Sequence, residues 1–172
     1  MNSLKKTMMA ITLLLSVVVS TAQIKNTKTQ QITENQLKPV FDNYFLLKDA
    51  LVKTAGKTAS VKSKDLLIAI TSVKMENLKT AEHTVWMKVL KSLTASAKNI
   101  SETQDIKKQR ELFKSLSKNM HELIKVSKLT APVYYQYCPM QDANWLSKEN
   151  AVKNPYYGSQ MLSCGKTVEI IK

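Results

Sequence analysis

Two cysteines and two methionines lie close together in the C-terminal part of the chain. Met140 follows Cys138 by two residues, and Met161 precedes Cys164 by three. Cu(I) and other soft metal ions prefer thiolate and thioether sulfur as ligands. A segment with two thiols and two thioethers is therefore a candidate site for a soft metal ion, with Cu(I) as the first candidate.

The spacing within each pair allows both sulfurs to face one point. Side chains two apart in an extended strand lie on the same side, which suits Cys138 and Met140. Pro139 restricts the backbone between them. A separation of three, as between Met161 and Cys164, suits a tight turn. Zn(II) more often takes histidine or carboxylate in place of thioethers, so the pattern favours Cu(I).

The same cysteines also suit a structural disulfide. In an oxidising compartment, Cys138 and Cys164 would close a loop of about 26 residues, which stabilises a fold by about 3 kcal/mol. A disulfide has no thiolate to offer a metal ion, so it competes directly with the metal hypothesis. Buried free thiols are the third interpretation, and the spacing leaves all three open.

His121 is an optional further metal ligand. It lies beside the apolar Met120 on the fourth predicted helix, which runs towards the end from which the cysteine segment departs. A histidine at the edge of an apolar face more often has a hydrogen-bonded packing role. His83 is expected near a helix end, on the solvent side.

No catalytic arrangement is recognisable in the sequence, and the chain is predicted not to be an enzyme. It has no glycine-rich phosphate loop and no nucleophile–base–acid pattern. The 13 acidic residues are scattered along helices rather than paired in a motif. Trp145 and the Tyr156-Tyr157 pair are expected to anchor the loop-rich segment on the core rather than to stack on a carbohydrate.

The first 22 residues have the pattern of a secretory signal peptide. Lys5 and Lys6 precede an apolar run over residues 8–19, and cleavage is expected after Ala22. The run is shorter than the roughly 20 apolar residues that span a bilayer. Residues 23–32 are expected to form a flexible leader. The mature protein is therefore expected in the periplasm or outside the cell, with no stable membrane insertion.

The formal net charge is +13, and lysine supplies almost all of the excess because Arg110 is the single arginine. Recognition of nucleic acid favours arginine forks and clustered basic strips. The lysines here are scattered at solvent-facing positions of the predicted helices, which indicates a solvated basic surface. Nucleic acid is not an expected partner, while attraction to an anionic membrane or envelope polymer is an alternative.

Residues 33–172 are predicted to form one all-α domain, an antiparallel four-helix up-down bundle with a C-terminal loop-rich extension. Apolar residues at helical spacing predict helices over about 33–54, 59–78, 80–100 and 105–129. Capping boxes at Thr33 and Ser101 would start the first and fourth helices, and Gly56 would end the first. The expected core positions include Leu37, Val40, Tyr44, Leu66, Ile70, Trp86, Leu93, Phe113, Leu116 and Met120.

The extension covers residues 133–172, where the pattern changes after Pro132. Two β-prone stretches, 133–137 and 167–171, lie at its two ends. Paired antiparallel against the bundle, they would form a short β ribbon. Such a ribbon would bring Cys138 and Cys164 to the same end.

Three runs within the extension carry a resemblance to a known family. They are Tyr-Tyr-Gln-Tyr-Cys-Pro-Met from Tyr134, Asn-Trp-Leu-Ser from Asn144, and Asn-Pro-Tyr-Tyr-Gly-Ser-Gln-Met-Leu-Ser-Cys-Gly from Asn154. They resemble the signature of a bacterial exported helical-bundle domain of unknown function. That domain occurs alone and appended to periplasmic adaptor subunits of heavy-metal (copper/silver) efflux systems. The Cys-Pro-Met run is also similar to the short heavy-metal-binding motif of such adaptors and of copper-transporting ATPases.

The resemblance implies that Cys138, Met140, Met161 and Cys164 face a metal ion. The short motif usually continues with histidine, whereas Gln141 stands there in this chain, so an imidazole ligand is lost. The expected function is the buffering or delivery of Cu(I) beside an efflux system, with an efflux adaptor as a candidate partner. The alternative is an envelope interaction module without metal, stabilised by a Cys138–Cys164 disulfide.

Overall fold

Four α-helices followed by a three-stranded sheet make up residues 35–172, the part of the chain that this computed structural model describes. The helices are α1 (Lys38–Val52), α2 (Gly56–Thr71), α3 (Thr80–Ser101) and α4 (Ile106–Lys125). The strands are β1 (Val133–Cys138), β2 (Ala143–Ser147) and β3 (Lys166–Ile171). The predicted signal peptide and leader, residues 1–32, lie outside the described residues.

Each helix packs against the next one along the chain, and α4 also carries the sheet through its contact with β2. The apolar positions predicted for the helices form the core, which includes Leu37, Val40, Tyr44, Leu66, Ile70, Trp86, Leu93, Phe113, Leu116 and Met120, all buried. The lysines are expected to be exposed, and Lys48 is an exception. It is buried and pairs with Asp49 at 2.5 Å. Within residues 35–172, no helix is long and apolar enough to cross a membrane.

Two predicted helix starts are corrected by the structure. Helix α1 begins at Lys38, with Pro39 in its first turn, where the missing N–H of proline costs nothing. Thr33 lies outside the described residues. The capping box predicted at Ser101 is wrong because α3 continues through that residue. Asp105 caps α4 instead, and its carboxylate accepts from the backbone N–H of Lys107 at 2.9 Å.

Gly56 begins α2 rather than ending α1, so the prediction for this glycine is wrong. Helix α1 already ends at Val52, and Thr54 turns the chain with a φ of 55°. A Cβ at Gly56 would lie 2.2 Å from the carbonyl oxygen of Gln104. The glycine is therefore required by the close approach of the α3–α4 loop. Helix α2 also ends earlier than predicted, at Thr71, and a 3-10 turn at Met75–Asn77 leads to α3.

The sheet has the strand order β2-β1-β3, with β1 antiparallel to both neighbours. The predicted pairing of the two β-prone stretches is confirmed: Val133 pairs with Ile171 and Tyr137 with Lys166. An irregularity falls between Tyr135 and Gln136. Strand β2 was not predicted, so the predicted ribbon is a sheet of three strands.

A chain of aromatic rings joins the helices to the extension. Tyr44 of α1 stacks on Phe113 of α4, with ring centroids 5.3 Å apart. Phe113 meets Tyr156 at 6.1 Å, and Tyr156 meets Trp145 edge-on at 5.9 Å. Both Trp145 and Tyr156 are buried. As expected from the sequence, these aromatic residues anchor the extension on the helices.

Candidate functional site

The two cysteines lie side by side although 26 residues separate them in the chain. Their Sγ atoms are 3.7 Å apart, and both thiols are free. Cys138 ends β1 and is fully buried, while Cys164 is partly exposed in the loop before β3. The antiparallel pairing of β1 with β3 brings them together, because Tyr137 lies opposite Lys166. This pair of sulfurs is the centre of the candidate site.

Gly165 allows the loop before β3 to come this close to β1. Its φ is 140°, in the region that residues with a Cβ rarely adopt. A Cβ here would lie 2.7 Å from the carbonyl oxygen of Tyr137 and 2.9 Å from the indole ring of Trp145. The sequence shows a glycine directly after Cys164, but it does not indicate that Tyr137 and Trp145 leave no room for a side chain at this position.

Asn154 fixes the loop that carries Cys164, and sequence reasoning missed this role. Its side chain is fully buried and donates from Nδ2 to the carbonyl oxygen of Cys164 at 2.7 Å. Its Oδ1 accepts from the backbone N–H of Tyr156 at 2.8 Å. An Asn-Pro dipeptide is typical of a turn, and the chain turns after Asn154. Because the amide binds both the backbone of this turn and the backbone of Cys164, Asn154 also fixes the position of the second thiol.

Arg110 is a second positioning residue, a role that its sequence context does not indicate. Its Nε donates to the carbonyl oxygen of Pro155 at 2.8 Å. Its Nη2 donates to the carbonyl oxygen of Leu51 and to Oγ1 of Thr54, each at 3.1 Å. The guanidinium therefore ties α4, the end of α1 and the extension together.

The pair of thiols has an electrostatic consequence. Partial burial raises the pKa of Cys164, and the hydrogen bond with Cys138 raises it further. Both effects disfavour the Cys164 thiolate, because burial removes water from the charge and the hydrogen bond with Cys138 favours the protonated form. A cation between the sulfurs would reverse this preference, since a metal ion binds the deprotonated form.

The two methionines lie in the turns next to the cysteines. Met140 follows Cys138 in the turn between β1 and β2, and its side chain is 60% exposed. Met161 ends a 3-10 turn, Gly158–Met161, and is 36% exposed. The backbone N–H of Cys164 donates to the carbonyl oxygen of Met161 at 3.1 Å. Each methionine is thus on a partly exposed turn near a cysteine: Met140 follows Cys138 after Pro139, and Met161 is hydrogen-bonded to Cys164 through the backbone.

His121 has partners of its own in a different cluster. Its Nε2 lies 2.8 Å from a carboxylate oxygen of Glu169, and its ring stacks on Tyr135 with centroids 3.7 Å apart. Tyr135 and Cys138 are three apart on β1, so they point to opposite faces of the strand. His121 therefore has the hydrogen-bonded packing role that was the alternative to a ligand role.

No group of three or more histidine, cysteine, aspartate or glutamate side chains that could hold a metal ion occurs among residues 35–172. Among these described residues, therefore, no imidazole or carboxylate completes a group of three with Cys138 and Cys164. Chemically, two thiols this close can hold a thiophilic ion between them once they are deprotonated. They can also close into a disulfide, since the sulfurs are already in contact.

Comparison with known proteins identifies the family from the helical part. Searches of curated proteins and of solved structures found no match. A family model described as "Protein of unknown function (DUF3347)" matches residues 40–131, which contain most of α1 and all of α2, α3 and α4. The match ends before β1, so both cysteines and both methionines of the site lie outside it. Because this match covers more than half of the chain, the protein belongs to the DUF3347 family.

Proposed function

We propose that this protein binds a soft metal ion, Cu(I) in the first instance, between Cys138 and Cys164. The two thiolates supply the charge and most of the affinity. Met140 and Met161 act as neutral, exchangeable ligands that suit release of the ion to another protein. The role is non-enzymatic: buffering or delivery of the metal beside an efflux system, in the periplasm or outside the cell.

One observation carries the proposal, the 3.7 Å distance between the two sulfur atoms. Four ligands arranged tetrahedrally at about 2.3 Å from a metal ion lie about 3.8 Å from one another. The sulfurs therefore already have the separation of two ligands of one ion. A disulfide bond of about 2.05 Å would require them to approach by about 1.7 Å.

The thioethers complete the ligand set in this proposal. Soft sulfur ligands select Cu(I) over the harder ions that carboxylates and carbonyls bind. Met161 is favoured as the third ligand because its backbone is hydrogen-bonded to Cys164. Because Met140 is more exposed than Met161, we assign to it the role of passing the ion to a partner. His121 is left out because Glu169 and Tyr135 engage its ring.

The competing function is an envelope interaction module in which Cys138 and Cys164 form a disulfide. The contact between the sulfurs favours this alternative as well, because an oxidant could close the bond after a modest movement. The two functions differ in the redox state of the thiols. Counting free thiols in protein taken from its native compartment separates them.

The proposed arrangement of the four helices is antiparallel, up and down. The packing of each helix on the next and the three-residue connection between α1 and α2 support it. The proposed partner is an efflux adaptor, on the resemblance of the extension to the domain found in such subunits.

A Cu(I) titration against a competing chromophoric chelator tests the function. We expect one ion per chain, with binding lost in Cys138→Ser and Cys164→Ser, and weakened about tenfold or more in Met161→Leu. Met75→Leu is the matched control, since Met75 is exposed to a similar degree, 39%, outside the extension. If Cys138→Ser and Met161→Leu bind Cu(I) as the parent does, the proposed site is wrong.

A further inference from the structure

A cavity of about 700 Å³ lies between the first turns of α4 and the aromatic part of the extension. Lys107, Lys108 and Arg110 line it from α4, and Tyr157 from the extension. Its volume is within the usual range for ligand sites, about 300–1,000 Å³. The metal site proposed above does not use any of these residues.

The charges around this cavity are strongly unbalanced. Three cations line it, against one carboxylate, Glu111, which is already paired with Lys114 at 3.0 Å. Neither Lys107 nor Lys108 makes an ion pair within residues 35–172. Two guanidinium nitrogens of Arg110 are engaged by α1 and Pro155, whereas Nη1 has no hydrogen-bond partner in the described part of the chain. The cavity therefore has unused donors for carboxylate groups.

The exposure of the lining favours a peptide over a small molecule. Lys107, Lys108 and Gln160 are exposed, and the buried Tyr156 forms the inner wall. A small ligand needs most of its surface buried, which an open site lined by exposed lysines does not provide. A segment of a larger partner covers such an opening with its own surface, and Tyr157 offers it an apolar contact.

We propose that this cavity is the docking site for an acidic segment of a protein partner. Two of its lining residues, Gln141 and Gln160, directly adjoin Met140 and Met161. A partner seated here would contact the two turns that carry Met140 and Met161. Docking is proposed from the cavity itself; its use in metal transfer rests on the proposed function.

Fluorescence anisotropy with the metal-free full chain tests the docking. The probe is a fluorescein-labelled hexaglutamate peptide, with hexaglutamine as its uncharged counterpart. We expect hexaglutamate to bind and hexaglutamine not to bind. In Lys107→Gln/Lys108→Gln the dissociation constant should rise about fivefold or more, given the usual strength of exposed charge pairs. Gln160→Glu adds a negative charge at the cavity, which repels the peptide, and should also raise the dissociation constant.

The matched control is Lys88→Gln/Lys91→Gln, which removes two exposed lysines from α3. It should change the dissociation constant by less than about twofold, because neither lysine lines the cavity and exposed charges that make no direct contact are screened by salt. Equal losses in both double variants would overturn the proposal, because binding would then be an effect of overall charge. Absence of hexaglutamate binding would overturn it as well. Binding of anionic phospholipid vesicles in place of the peptide would assign the surface to a membrane and also contradict it.

The same variants separate this inference from the metal proposal. Lys107→Gln/Lys108→Gln should retain the Cu(I) affinity of the parent, and Cys138→Ser should retain hexaglutamate binding. A protein that binds the peptide and no copper would refute the metal site alone. One that binds copper and no peptide would refute the docking site alone.

Discussion

The phenolic oxygen of Tyr44 accepts a hydrogen bond from the backbone N–H of Leu146 at 3.0 Å, across 102 residues of sequence. The same hydroxyl group lies 2.8 Å from Oγ of Ser117 on α4. Strand β2 is at an edge of the sheet, so the backbone groups on its outer side have no partner strand and need other hydrogen-bond partners. The buried hydroxyl group of Tyr44 thus provides a hydrogen-bond partner for the backbone of this edge strand. It also joins α1 and α4 to β2, the strand that follows Cys138 in the chain.

Tyr44→Phe should destabilise the fold. The change removes one atom and leaves the N–H of Leu146 buried without an acceptor, which costs about 1–3 kcal/mol. Urea unfolding followed by circular dichroism measures the loss. Tyr157→Phe, a partly exposed tyrosine of the extension, serves as the control and should change stability by less than about 0.5 kcal/mol. Equal stability of Tyr44→Phe and the parent would mean that this bond does not hold the sheet edge.

Gly165→Ala should disturb the thiol pair. The new methyl group would have to displace the carbonyl group of Tyr137 or the ring of Trp145 while the backbone keeps a φ of 140°. Strain and overpacking together should cost about 2 kcal/mol or more. We expect a lower urea midpoint and slower disulfide closure with a mild thiol oxidant. Ser163→Ala, at an exposed position of the same loop, should leave both quantities unchanged.

Arg110→Gln should loosen the extension more than it weakens the helices. The arginine bonds to Pro155 and to the end of α1, and glutamine is too short to replace both. Loss of these charge-assisted bonds should cost about 1.5–3 kcal/mol. Limited proteolysis should then cleave within residues 154–163 sooner than in the parent. Lys118→Gln removes the same charge from an exposed site on α4 and should leave the cleavage rate unchanged.

Asp42 predicts a pH dependence of stability. Burial opposes ionisation of its carboxyl group, but hydrogen bonds from Lys148 and Lys38 outweigh this and lower its pKa. A lowered folded-state pKa contributes stability above the unfolded value of about 3.9, and this contribution disappears as the pH falls through the folded value. Asp42 and Lys148 are partly exposed, so the effect at pH 7 should be about 1 kcal/mol or less.

Denaturant unfolding of Asp42→Asn and the parent at several pH values checks the pH dependence of the contribution that Asp42 makes to stability. The difference in unfolding free energy should be present at pH 7 and decrease as the pH falls through the lowered folded-state pKa of Asp42. Asp65→Asn is the comparison, because Asp65 pairs within α2 with Lys62 alone. A difference that persists at pH 2 would show that the Asp42→Asn substitution is unfavourable for a reason other than charge.

The helices and the meeting of the cysteines could be predicted from the sequence because local patterns determine both. Apolar spacing on each helix identified core residues such as Leu66 and Trp86, and two β-prone stretches placed Cys138 near Cys164. Strand β2 could not be predicted in this way. Its sequence, Ala-Asn-Trp-Leu-Ser, has no β-branched residue, and its conformation depends on pairing with β1 and on the hydroxyl group of Tyr44.

Long-range contacts also explain the other differences. Gly56 looked like a helix end, but it is required by the Gln104 carbonyl group of a distant loop. Asn154 and Arg110 carry no local sign of the backbone groups that they bind. The partners of His121, Tyr135 and Glu169, come from strands that follow α4 in the chain. Such positions follow from tertiary packing, which a periodicity does not encode.

X-ray absorption at the copper edge of the Cu(I)-loaded protein tests the central claim most directly. We predict a first shell of sulfur at about 2.2–2.3 Å, with three or four scatterers in the parent and fewer in Met161→Leu. A first shell dominated by nitrogen or oxygen, or an unchanged sulfur count when Cys138 and Cys164 are both replaced by serine, would contradict it.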